Sequence, residues 1–198
     1  MKLTDVRRPL IVAALALILS VSPTHAEDLR LPDLMQRLAQ NKSGEATFVE
    51  KKYIGILDQT IVSTGDLSFS APDRLEKRTL TPKPETLSLD GDSLTIERPG
   101  KHPMTVGLDD YPEVAAMVES IRGTLAGDLS ALERFYSLDL AGSAERWQLT
   151  LRPKLEKLAS VFDRIVIAGE HADIRAIDLQ QRDGDHSEMV IMHSRIDR

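Results

Sequence analysis

The side chains with the chemistry to hold a metal ion gather toward the end of the chain: His171, Asp173, Asp183, Asp185, His186, Glu188 and His193. Imidazole nitrogens and carboxylate oxygens are ordinary ligands of zinc and related cations. Their spacing does not fit that use. No pair has the HExxH spacing that puts two histidines on one helix face. Asp183-Gly184-Asp185 has the composition of a tight turn. His171 follows Gly169-Glu170, another hairpin signal, and His193 alternates with Met189 and Ile191 as on a strand. These residues are expected in turns and on the surface, with no metal among them.

Covalent catalysis finds no better footing. The sequence contains no G-x-S-x-G and no cysteine to act as a thiol nucleophile. Asp90-Gly91-Asp92 supplies two carboxylates, but a hairpin tip is exposed and poor at raising a carboxyl pKa. Gly-rich phosphate loops are absent too. A non-enzyme without catalytic residues or cofactors is expected. The 25 basic and 31 acidic residues give a net charge of −6, so a basic footprint for nucleic acid is missing. Lys51, Lys52, Arg74, Lys77, Arg78 and Lys83 form the one basic grouping to weigh. They either gather at one rim to meet an acidic partner or headgroup, or coat a solvated strand face.

The chain opens with an export signal. Lys2, Arg7 and Arg8 precede an apolar run at 9–22, followed by Thr24-His25-Ala26 with small residues where a signal peptidase reads. The run of about 14 residues is shorter than the roughly 20 a spanning helix needs. Residues 1–26 are expected to be removed, the alternative being a retained anchor. Residues 27–198 then make one domain, in a size range that supports a single core. Without cysteine that domain holds by packing alone in an oxidising compartment, and it lacks the residue that lipid-modified export signals require.

Hydrophobic periodicity then predicts the elements. Leu31, Leu34, Met35 and Leu38 repeat at helical spacing, giving a helix over 30–40. From Gly44 the period becomes two, with strands at 45–56, 59–69, 73–80, 85–90, 93–98 and 103–107. Asp90-Gly91-Asp92 marks a hairpin. Pro112 starts a helix over 112–125, lined by Val114, Met117, Val118, Ile121 and Leu125, and a short second helix fits 128–134. Period two returns around Tyr136–Leu140 and Trp147–Leu151, then at 160–168, 173–181 and 187–195. An antiparallel sheet of about eleven strands curls to bury its apolar face and shield its edges. The fold class is mainly β: an unclosed antiparallel barrel of about eleven strands with a helical lid or plug.

The interior-facing candidates are aliphatic: Ile61, Leu67, Leu87, Leu94, Ile96, Met104, Val106, Leu138 and Leu149. Such a wall either fills itself against the helices or receives fatty chains, each buried CH₂ contributing about 0.8 kcal/mol. Met104 and Met117 add adaptable surface.

Three segments carry a resemblance to a known family. Leu31-Pro32-Asp33-Leu34 followed by Gly44-Glu45-Ala46-Thr47-Phe48-Val49-Glu50 is one. Ser63-Thr64-Gly65-Asp66-Leu67-Ser68-Phe69 leading to Pro72 is the second, and Leu89-Asp90-Gly91-Asp92-Ser93-Leu94 the third. In order and spacing they resemble the periplasmic lipoprotein carriers of Gram-negative bacteria, the LolA type, over nearly all of residues 27–198. The resemblance implies an unclosed barrel with a helical lid that holds the acyl chains of lipoproteins in the periplasm. Membrane-bound relatives carry a lipidated N-terminal Cys; its absence implies the soluble type. One stretch departs. After the proline matching Pro72, the carrier pattern has two variable residues, an aromatic, an Arg that holds the lid shut without ligand, and a Trp. Here Leu75, Glu76 and Lys77 stand in the last three places, which leaves Arg74 or Arg78 to replace that arginine.

The expected function is a periplasmic carrier of acylated protein or lipid cargo toward the outer membrane, acting as a monomer between an inner-membrane donor and an outer-membrane acceptor. The wall is expected from Leu67, Phe69, Leu75, Leu94, Ile96, Met104 and Trp147, and the lid from Met117, Val118, Ile121 and Leu125. Two alternatives remain: a non-enzymatic adaptor with a filled core that works through its outer surface or an edge strand, and a carrier of a non-protein lipid.

Overall fold

The computed structural model describes residues 29–193. The expected signal at 1–26 lies outside them. Eleven strands form one antiparallel sheet in the order β6-β5-β4-β3-β2-β1-β11-β10-β9-β8-β7. They are β1 Ser43–Ile54, β2 Gln59–Ser70, β3 Arg74–Thr81, β4 Glu85–Asp90, β5 Ser93–Glu97, β6 Met104–Gly107, β7 Tyr136–Gly142, β8 Trp147–Pro153, β9 Phe162–Glu170, β10 Asp173–Gln181 and β11 His186–His193. Consecutive strands other than β6 and β7 pair antiparallel, and β1 pairs with β11. Strands β6 and β7 are the two free edges, so the sheet is not closed into a barrel.

The chain between those edges carries the helices. A 3-10 turn at Leu108–Asp110 leads into α2, Pro112–Ala126, and then α3, Leu129–Phe135. Helix α1, Leu31–Leu38, precedes β1, and α4, Glu156–Val161, joins β8 to β9. Pro112 suits the first turn of α2, where its missing N–H costs no helical bond. Gly127 ends α2 in the left-handed region at φ 66°. A Cβ there would stand 2.1 Å from the Met35 carbonyl oxygen, so glycine also lets α2 close against α1. Asp128 caps α3 by accepting from the Ala131 N–H at 3.0 Å.

Register puts the predicted interior on one face. Leu67 pairs with Ala46 and Lys77; Lys77 pairs with Leu87, and Leu87 with Ile96, which faces Met104. On the other side Met189, Ile177, Ile167, Leu149 and Leu140 follow across β11 to β7. Side chains alternate along a strand, so Ile61, Val106, Leu94 and Leu138 share this face. Helices α1, α2 and α3 cover only part of it. Leu34, Met35, Leu38, Ala116 and Leu132 pack with Tyr136, Trp147, Leu149, Leu151, Ile165 and Ile167 into one core over β7–β11.

Several expectations change. Helix α4 was invisible to periodicity because six residues do not complete two turns. The metal-candidate residues separate to opposite ends of β10: His171 and Asp173 sit at its start, Asp183 and Asp185 past its end. The basic residues do not share a rim either. Arg74 and Arg78 point outward, where they pair with Asp90 and Asp66, while Lys77 points inward to Glu50. Neither Arg74 nor Arg78 reaches a helix, because both lie on the outer face of β3 with Glu76.

Candidate functional site

The inner face is unevenly covered. On β8 and β9, Leu149 and Ile167 are fully buried. On the far side, Leu67, Leu75, Leu87, Leu94, Ile96 and Val106 stay half-buried and Met104 is 50% exposed. All belong to the same face, so the difference comes from where the helices dock. Phe69 and Leu89 are buried near the β4–β5 hairpin but stand apart from the main core. Trp147 is sealed inside that core, its indole N–H donating to the His171 carbonyl at 3.0 Å.

Helix α2 presents two different surfaces. Ala116, Ser120, Gly123 and Thr124 are its buried positions. They are small, and this stripe lies close against neighbouring elements: Leu132 of α3 comes within 3.0 Å of the position a Gly123 Cβ would take. The Tyr136 hydroxyl donates to the Ala116 carbonyl at 2.8 Å. Burial pushes the pKa of that phenol above its ordinary value, so it stays a neutral donor. The large apolar residues lie on another side of the helix. Ile121 and Leu125 reach the core partway, Val118 is half-buried and Met117 is 42% exposed.

One side chain ties the middle of α2 to the sheet. Arg122 donates to the Gly91 carbonyl in the β4–β5 turn at 2.8 Å and to Glu119 at 2.7 Å, with Asp92 at 3.5 Å. Burial works against its charge, but the hydrogen bond and attraction of Glu119 outweigh it and hold its pKa above the ordinary value. Local sequence patterns give no sign of this tie because Gly91 is 31 residues away.

A polar band crosses the inner face below the aliphatic strip. Lys77 pairs with Glu50 at 2.5 Å, both largely shielded, and its ammonium lies 4.9 Å from the Phe48 ring centre. Gly65 makes room beneath: a Cβ there would come within 2.9 Å of Phe48 and 1.9 Å of the Arg78 carbonyl oxygen. Ser63 and Thr79 complete the band on neighbouring strands. An open depression of about 1390 Å³ is lined by the outer-face residues Ser68, Arg74, Glu76 and Asp90 together with Phe69, Leu75 and Leu89 of the inner face. Among the described residues no group of three or more His, Asp or Glu is placed to hold a metal, and no helix is long and apolar enough to cross a membrane.

A LolA superfamily protein of Nitrosomonas europaea is similar in structure at 8% identity and a TM-score of 0.42, over 82% of this chain and 91% of that one. A chain in the MucA/MucB complex of Pseudomonas aeruginosa is similar at 16% identity and a TM-score of 0.45, over 82% of this chain and 56% of that one. A chain in the complex of the CwlD amidase and the GerS lipoprotein from Clostridioides difficile is similar at 11% identity and a TM-score of 0.39, over 84% of this chain and 91% of that one. No curated protein sequence matches. The family described as outer membrane lipoprotein carrier protein LolA-like matches residues 23–195. The chain belongs to that LolA-like family.

Proposed function

We propose that this protein is a non-catalytic periplasmic carrier that shields the acyl chains of a lipidated cargo on the inner face of its sheet. Residues 1–26 would be removed, and residues 27–198 would work as one soluble monomeric domain. Leu67, Leu75, Leu94, Ile96 and Met104 form the wall, with Phe69 and the sealed Trp147 behind it. Met117, Val118, Ile121 and Leu125 form the opposing lid surface. The observation that carries this reading is the asymmetry of cover. One face holds Leu149 at 0% exposure and Met104 at 50%. Leaving aliphatic side chains partly hydrated across five strands forgoes burial worth roughly 25 cal/mol per Å². A guest chain would recover it.

Cargo release follows from competition. A membrane-bound donor and an acceptor with its own apolar site would set the direction, since burial of acyl chains is reversible. The test is native mass spectrometry of gently purified protein. A bound lipid or lipopeptide supports the carrier. An apo mass, persisting after incubation with acylated peptides, defeats it. Ile121→Asp places a charge on the lid surface and should remove retention while the sheet stays folded; normal retention would exclude that lid role. A second reading, a non-enzymatic adaptor, is favoured by the outer-face residues Val62, Val190 and Met192, each about half-exposed. It would show partner capture without any bound lipid.

A further inference from the structure

The position of Lys77 says what kind of head the cargo carries. Its cross-strand neighbours on the inner face are Leu67 and Leu87. It lies in the middle of β3, Arg74–Thr81, not at a rim. A lysine so placed interrupts an aliphatic strip. Its side chain is 26% exposed and that of its partner Glu50 17%. Replacing such a pair by apolar residues is often neutral or stabilising, so stability alone gives no reason for it. The ammonium has three donors and Glu50 engages one face of it. Ser63 and Thr79 add hydroxyls alongside, and Lys52 lies on the same face two residues beyond Glu50. Glu85, opposite Thr79 on this face, is engaged by Arg98 as Glu50 is by Lys77, so Lys52 leaves the band with net positive charge.

We propose that this band, centred on Lys77, binds the phosphate head of a phospholipid-like amphiphile whose chain lies along Leu75, Leu87 and Ile96. The inference rests on the carrier reading and narrows its cargo. An acyl chain attached to a protein has a polypeptide at its head, which must leave through a rim. A head captured at mid-strand belongs to a free lipid. Glu50 balances the Lys77 charge in the empty site, and the Phe48 ring lies against the ammonium.

The test measures displacement of a fluorescent fatty probe, below micellar concentrations, by four competitors. They are a lysophosphatidylethanolamine, the monoacylglycerol of equal chain length, inorganic phosphate and a triacylated lipopeptide. On the wild-type protein the lysophospholipid should bind at least tenfold tighter than the monoacylglycerol and tighter than the lipopeptide, and inorganic phosphate should displace nothing. Lys77→Met preserves bulk over Phe48 and should equalise the first two competitors without weakening the monoacylglycerol. Glu50→Gln frees the ammonium and should widen the preference several-fold. Equal binding of the two amphiphiles by the wild type, or an unchanged preference in Lys77→Met, overturns the headgroup site alone. Displacement by inorganic phosphate makes it a free-anion site, and a lipopeptide that binds tightest restores protein-linked cargo; either overturns the inference. If no amphiphile binds the folded wild type, the carrier reading itself falls.

Discussion

Arg122, on α2, donates through its guanidinium to the main-chain carbonyl of Gly91 at 2.8 Å. That bond joins the helix over the inner face to the tip of the β4–β5 hairpin. It is made by a side chain that is 20% exposed and also held by Glu119. Helix α2 also rests on α1, α3, α4 and the turn at Leu108–Asp110, and accepts a hydrogen bond from Tyr136 of β7 at the Ala116 carbonyl. Among the described residues no other side-chain hydrogen bond joins α2 to β3–β6, so Arg122 bridges the covered and uncovered halves of the face.

Replacing Arg122 by Gln should therefore loosen α2 without unfolding the sheet. A hydrogen bond from a charged group contributes about 1.5–3 kcal/mol. Local opening of residues 112–126 should rise about tenfold or more, read by amide hydrogen exchange. Probe uptake should quicken in the same variant. Unchanged exchange would mean that the small-residue contacts hold the helix alone.

Gly65→Ala should be severely destabilising. The new methyl would meet the Arg78 carbonyl oxygen at 1.9 Å and the Phe48 ring at 2.9 Å. Overpacking of this kind costs about 1–3 kcal/mol, and more where backbone is struck. Urea denaturation would show the loss as a lower midpoint. A midpoint within error of wild type would mean that β3 can move away from β2.

Tyr136→Phe removes the buried donor to the Ala116 carbonyl. The expected loss is about 1 kcal/mol, the usual net worth of such a bond. It should appear in thermal unfolding together with faster exchange in α2. A variant as stable as wild type would show that the ring, not the hydroxyl, positions the helix.

Asp178 sits opposite Glu188 on the outer face of β10 and β11. Burial, and then the Glu188 charge, push its pKa upward. The folded protein therefore keeps this proton to higher pH than the unfolded chain does. Its contribution is most favourable below the unfolded carboxyl pKa of about 4 and is lost as pH rises through the folded value. Asp178→Asn should raise the urea midpoint at pH 7 and narrow the gap to wild type under acid conditions. A variant less stable at pH 7 would reverse the sign and exclude a strained carboxylate.

Much of the fold was legible because its signals are local. Leu87, Leu94, Ile96 and Val106 each declare their face through alternation, and Asp90-Gly91-Asp92 declares its hairpin through turn chemistry. The short helix α4 was not legible, being six residues long. The lid tie was misplaced for a different reason. Arg74 and Arg78 look suitable by sequence distance from Pro72, but two-residue periodicity keeps both on the outer face with Glu76, facing Asp90 and Asp66. Arg122 finds Gly91 only because the chain returns across the open edge of the sheet.

The amino-acid order alone determined the strand count, the turns and the single apolar face, since alternation and turn preference act over a few residues. The three-dimensional arrangement decided which half of that face is sealed and which stays open. It also put Lys77 beside Glu50 and Arg122 beside Gly91. Burial depends on what docks from far along the chain, and no short-range pattern encodes where α2 comes to rest.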